Sequence, residues 1–221
     1  MRKQAMTINA ILLNLDEILF DTAPLHLAAC RAAMEDTGVP LRWSMPELRE
    51  VASTVGWTRV LDVALPQEDQ PESKGKRSRA IDLNAAHHRH FHNALAIRKP
   101  EANPRGVQLI KDALDAGCKL GVISDLPAAS ASALLEQLFG NDVNSKFTLV
   151  ASRHDAAHRQ HDGMHALALR TMGVHADETV LIDTSLPNLL AARKSGLRTV
   201  HFKMPGILSW KSLPAMATRP N

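Results

Sequence analysis

The chain has 221 residues, 45% of them hydrophobic, a formal net charge of +3 and a pI near 9.0; that is enough apolar content to core one domain carrying an insertion. No apolar run approaches the roughly 20 residues of a bilayer span, and the opening MRKQAMTIN leads straight into the first predicted strand, so no membrane partner is expected and the expected location is the cytoplasm. The basic balance suits anionic ligands, yet the one dense basic run, KGKRSR at 74–79, has no interleaved aromatics to stack bases, so nucleic acid is not an expected partner.

In chain order, the apolar run Ala10-Ile11-Leu12-Leu13 reads as a buried strand delivering Asn14, Leu15 and Asp16 at its carboxyl end, where open α/β sheets bind ligands. After Thr22 the period turns helical, with Leu25, Ala28, Ala29, Ala32 and Ala33 on one face until Gly38-Val39-Pro40 stops it. Helical patterns follow over 45–64 and 81–97, and the polar segment 67–79 between them reads as a mobile loop or disorder. From Pro104 the order changes. Helix 105–116 closed by Gly117 precedes strand 119–123, helix 127–138 and strand 147–150; helix 162–172 closed by Gly173 precedes strand 179–182, helix 187–195 closed by Gly196, and strand 198–202. Such alternation predicts an α/β fold of parallel strands with helices on both faces. With the first strand in the same sheet, residues 1–22 and 98–221 form the expected core, and residues 23–97 an inserted all-helical cap. Cys30 and Cys118 lie in unrelated settings and read as free buried thiols.

The segment L-N-L-D-E-I-L-F-D-T resembles motif I of the haloacid dehalogenase (HAD) phosphatase superfamily, hydrophobic-D-x-D-G-[TV]-L-x-D-[ST]: the strand, Asp16, Leu19 and the Asp21-Thr22 pair match. Asn14 stands at the nucleophilic aspartate, Glu17 at the glycine and Ile18 at the small or hydroxylated residue. The resemblance covers nearly the whole chain, is nearest the CbbY-type sugar-phosphate phosphatases, and implies a HAD-like Rossmannoid three-layer core with a helical cap. In that family the first aspartate attacks phosphorus, and the second protonates the leaving alkoxide and then activates water, which gives Asp16 the acid–base role. A carboxamide at Asn14 cannot attack, because its oxygen is a poor nucleophile and its nitrogen lone pair is delocalised.

Within the cap, S-T-V-G-W-T-R-V at 53–60 is similar to the V-T-G-G-K-E-R-I specificity loop, which marks Thr54, Gly56 and Arg59 for substrate recognition, Arg59 on a distal phosphate. Trp57 stands where that loop has lysine, and Arg59 read on its own is equally an exposed cap arginine. Ser124 closes the strand KLGVIS at motif II, whose hydroxyl binds the transferring phosphoryl group. Arg159 aligns with the motif III lysine, although Gln160, His161 and Asp162 replace its K-P-x-P signature, and a solvated loop arginine fits it as well. At motif IV, Ile182-Asp183-Thr184-Ser185 makes Asp183 a candidate metal ligand, with Asn188 a weak one at the later acidic position.

The family's magnesium ligands reduce here to Asn14, the backbone carbonyl of Asp16, and Asp183, a set with one side-chain carboxylate, so weak or absent magnesium binding is expected. Asn14, Ser124 and Arg159 offer donors to phosphate without the repulsion of a fully acidic site. The expected protein therefore descends from a magnesium-dependent sugar-phosphate phosphatase, has lost most or all phosphatase activity, and keeps a cleft for a sugar phosphate or inorganic phosphate. The alternatives are an active, atypical phosphatase or phosphomutase on a small phosphosugar, and a protein-interaction module that uses the cap. Eight of the eleven histidines form two clusters, His87, His88, His90 and His92, and His154, His158, His161 and His165. The second has helical spacing suited to a transition metal, but both clusters read as solvated side chains titrating near neutral pH.

Overall fold

In the computed structural model, residues 7–38, 40–64, 74–152, 161–203 and 209–218 are described. Five parallel strands form the central sheet in the order β5-β4-β1-β6-β7: β1 (Ala10–Leu13), β4 (Lys119–Ser124), β5 (Leu149–Ser152), β6 (Thr179–Asp183) and β7 (Arg198–His201). Leu13 of β1 lies opposite Val122 on one side and Ile182 on the other. Side chains alternate across a strand, so Ile11 and Leu13 enter one hydrophobic cluster with Leu120, Val122, Val180 and Ile182, while Ala10 and Leu12 enter another with Ile123, Met172 and Leu181. Both faces are covered, which is why these strands are uninterrupted apolar runs.

The predicted order of strands and helices is the observed one, with local shifts. The strand expected at 147–150 begins at Leu149, because the Phe147 backbone N–H still closes the short helix α7 (Val143–Lys146) on the Val143 carbonyl, 2.9 Å away. Helix α1 (Ala23–Glu35) buries His26, Cys30 and Met34 besides Leu25, Ala29 and Ala33, whereas Ala28 is exposed; it packs on two sides rather than along one stripe. The helix expected over 45–64 is broken by Gly56, at φ 86°, into α2 (Met45–Val55), a 3-10 turn (Trp57–Arg59) and α3 (Val60–Ala64). Helix α4 (Lys74–Ile97) starts seven residues before its predicted position at 81, so the basic run belongs to a helix and not to the expected loop; residues 65–73 lie outside the described ones. Lysine, arginine and alanine are good helix formers, and α4 packs along α1. Leu27, Met34, Leu48, Trp57 and Leu61 give this helical segment a hydrophobic cluster of its own.

The chain enters and leaves that segment through a two-residue antiparallel pair, β2 (Phe20–Asp21) with β3 (Glu101–Ala102), too short to leave a sequence pattern. Cys30 and Cys118 are free and buried, and burial pushes the Cys30 thiol up to about 12. Among the described residues no helix is long and apolar enough to cross a membrane.

The loop after β1 is seated by α5 (Pro104–Asp115): a Cβ at Gly106 would collide with the Ile18 carbonyl. That neighbour is backbone and cannot swing aside. Gly106→Ala is therefore expected to cost about 1–3 kcal/mol in urea unfolding, whereas Gly163→Ala on α8 (His161–Met172), with open space around it, should stabilise by about 0.5–1 kcal/mol.

Candidate active site

Parallel strands place their carboxyl ends on one edge, so β1, β4 and β6 bring Asn14, Ser124 with Asp125, and Asp183 together, all of them buried. Two carboxylates face two carboxamides there. Asn14 Nδ2 donates to Asp125 Oδ2 at 3.3 Å and to Asp183 Oδ1 at 3.5 Å. Asn188 Nδ2, in the first turn of α9 (Leu186–Lys194), donates to the same Asp125 oxygen at 3.3 Å and to Asp183 Oδ2 at 3.1 Å. Each amide nitrogen carries two protons, one for each acid. Asn14 Oδ1 accepts from the Asp16 backbone N–H at 3.4 Å, which fixes the end of the amide that faces the carboxylates. The Ser185 backbone N–H adds a 2.9 Å contact to Asp183, and Ser124 Oγ accepts from the Leu126 backbone N–H at 3.0 Å.

Asp125 corrects the carboxylate count made from the sequence, which held Asp183 alone. Its only sequence signal is its position directly after the strand-closing Ser124. Asp125, Asp183 and the Asp16 backbone carbonyl are the oxygens that could hold the magnesium the motifs imply, and an ion there would have to displace the Asn14 and Asn188 amide nitrogens that now donate to both carboxylates. Among the described residues no three His, Cys, Asp or Glu side chains are grouped to hold a metal ion.

Asp16 sits in a second network. Thr22 Oγ1 donates to its Oδ1 at 2.7 Å, His26 Nε2 lies 3.2 Å from the same oxygen, and Oδ2 has no hydrogen-bond partner. His26 Nδ1 in turn meets His87 Nε2 at 3.0 Å. Burial, reinforced by His26, His88 and His90, holds His87 well below the ordinary histidine range, so it is neutral. His26 Nε2–H donates to Asp16, and one proton is shared between His26 Nδ1 and His87 Nε2. The indole of Trp57 stacks on His26 at 4.0 Å between ring centroids, with a 15° interplanar angle. His87 and His88 are thus buried, contrary to the solvated reading, and so is His165, while the side chains of His154, His158 and His161 lie outside the described residues. A sequence signal for His26 existed in its spacing, four residues after Thr22 on the first turns of α1.

Glu17 is the one described non-glycine residue with positive φ, 63°. Its carboxylate forms an ion pair with Arg49 of α2, whose second nitrogen, Nη2, holds Asp21 at 2.8 Å. Glu17 and Arg49 line a cavity of about 570 Å³. Of the cap positions marked by the motif, Arg59 is 69% exposed and pairs with Asp62 at 2.9 Å, Thr54 caps the Glu50 carbonyl, and Gly56 ends α2. None of the three lines the cavity; Arg49 and Ser53, earlier on α2, do. Arg159 lies outside the described residues.

The sequence matches the haloacid dehalogenase-like hydrolase family over residues 11–202. Protein CbbY of Cereibacter sphaeroides is 28% identical over 195 residues, covering 87% of this chain and 83% of that protein; a plasmid-borne CbbY of Cupriavidus necator is 26% identical over 196 residues, covering 87% and 77%. The crystal structure of a point mutant of CbbY from Rhodobacter sphaeroides with xylulose-(1,5)bisphosphate aligns at a TM-score of 0.70 and 27% identity, covering 96% of this chain and 93% of that one. The phosphate complex of CbbY from the same organism gives 0.68 at 27% identity, with 88% and 86% covered.

Burial outweighs the attraction of Arg49 and, with Asp16 and Asp21 nearby, pushes the Glu17 carboxyl from 4.5 up to about 7. A raised carboxyl disfavours the ionised form in the fold, so this contribution to stability is fully present below pH 4.5 and is lost as pH rises through 7. Glu17→Gln should therefore stabilise the protein at about pH 8 by on the order of 1–3 kcal/mol and leave it unchanged near pH 4, as read by urea unfolding at both.

Proposed function

Because the chain belongs to the haloacid dehalogenase-like hydrolase family, we propose that it is a phosphate-binding descendant of a sugar-phosphate phosphatase whose own phosphatase activity is lost or greatly reduced. The observation that carries this reading is Asn14: a carboxamide at the nucleophile position, with its nitrogen turned to Asp125 and Asp183. Nitrogen so engaged cannot attack phosphorus, and the amide oxygen cannot form a phosphoaspartate. Removing a covalent nucleophile costs on the order of a millionfold in another enzyme class.

Phosphatases of this family generally use magnesium. Here Asn14 and Asn188 place N–H donors on both acids, which hydrogen-bond the carboxylates without cancelling their charge. A phosphate group then meets donors rather than bare carboxylates: the Ser124 hydroxyl and, by its motif position, Arg159. The CbbY complexes with phosphate and with xylulose bisphosphate support a small phosphorylated sugar or inorganic phosphate as the ligand. Residues 1–22 and 98–221 act as the core, with the helical segment 23–97 as a cap closing over the ligand. The second reading, an active phosphatase, draws on the setting of Asp16, whose Thr22 and His26 contacts leave one oxygen without a partner, as proton transfer requires.

Phosphate release from a panel of sugar phosphates with magnesium separates the two. Wild type should turn over no faster than Asp16→Ala; rates of roughly 1–1000 per second that vanish in Asp16→Ala would establish the active enzyme instead. Asn14→Asp replaces a donor by a third buried carboxylate beside Asp125 and Asp183 and should lower stability by on the order of 3 kcal/mol without restoring turnover. Full recovery of activity by that single change would show the remainder of the site to be intact.

A further inference from the structure

We propose that Glu17 is a tethered anion that holds a ligand's place on Arg49, so that a phosphate- or carboxylate-bearing small molecule enters the cleft by displacing it. The cleft's role in binding phosphate is taken from the reading above; the displacement itself stands on the loop geometry.

Glu17 is held where a side chain is disfavoured. Its φ of 63° is a region glycine enters freely and other residues rarely do. Such a conformation persists only where neighbours over-determine it. The Glu17 backbone N–H donates to the Phe20 carbonyl at 2.7 Å, its carbonyl accepts from Asn103 Nδ2 at 3.2 Å, and α5 presses Gly106 against Ile18 next door. The product of that constraint is one carboxylate, 6% exposed as a residue, aimed at Arg49.

Arg49 divides its fork between Glu17 through Nη1 and Asp21 through Nη2. Two parallel N–H groups are what a phosphate or carboxylate takes as a bidentate pair. Arg49 belongs to α2 in the helical segment, and Glu17 and Asp21 belong to the loop and strand that follow β1, so the internal pair also fastens α2 to the sheet edge. The cavity beside it is lined by Ser53, Thr184 and Lys203 as well as Glu17 and Arg49, which provides two hydroxyls and a second cation for an incoming anion. An external anion exchanges one carboxylate for another on the same guanidinium, and the swap frees Glu17 to turn away.

Sulfate is the probe, and binding is read by calorimetry and by melting temperature. Glu17→Gln, and independently Glu17→Gly, should bind sulfate at least about tenfold more tightly than wild type near pH 8, where the competing carboxylate has been removed. Arg49→Gln should abolish binding in both backgrounds. Equal sulfate affinity in wild type and both Glu17 variants overturns the displacement while leaving the phosphate-binding reading intact. Tighter binding in the Glu17 variants that is indifferent to Ser124→Ala supports the displacement and overturns the role given to Ser124. Absence of sulfate binding at millimolar concentration in all of them overturns both.

Discussion

Asp125 and Asp183 are buried at the carboxyl edge of the sheet within reach of the same two amide nitrogens, and their charge has to be compensated there. Carboxylates taken out of water without partners cost several kcal/mol each. Asn14 and Asn188 meet the requirement with four N–H contacts, and the requirement explains why the side chain at the end of β1 is committed to its neighbours.

The helical segment reaches into this edge at two separate points. His26 and His87 form a buried line of imidazoles ending on Asp16, and Trp57 covers it by stacking on His26. Arg49 reaches Glu17 and Asp21 from α2. Both contacts tie the loop after β1 to the helical segment, so the packing of that segment and the chemistry of the loop are coupled. Glu17 is the clearest instance: a strained backbone is tolerated because its neighbours leave the loop no other path.

Much of the fold was legible because periodicity survives without knowledge of partners. The apolar run at 10–13, the helical periods closed by Gly117, Gly173 and Gly196, and their alternation identified a parallel sheet covered on both faces, and Asn14, Ser124 and Asp183 fell at strand ends as that topology requires. Where the reading failed, the causes were of two kinds. The helix over 45–64 broke at Gly56, whose positive φ is local, whereas the basic run at 74–79 lies in α4, a helix that packs on α1, and His87 is buried with His26 of α1 beside it.

The sequence by itself determined which residue types stand at the strand ends, hence that an amide, Asn14, follows the first strand and a carboxylate, Asp16, stands two residues on. Those identities are local, and no packing can change the chemistry of a carboxamide. Only the tertiary structure decided where the amide's donors point, that Asp125 joins Asp183 as a second acid, and that Arg49 rather than Arg59 borders the cleft. Direction and partnership are set by atoms brought together from β1, β4, β6, α2 and α9, and spacing along one chain does not encode the distances between them.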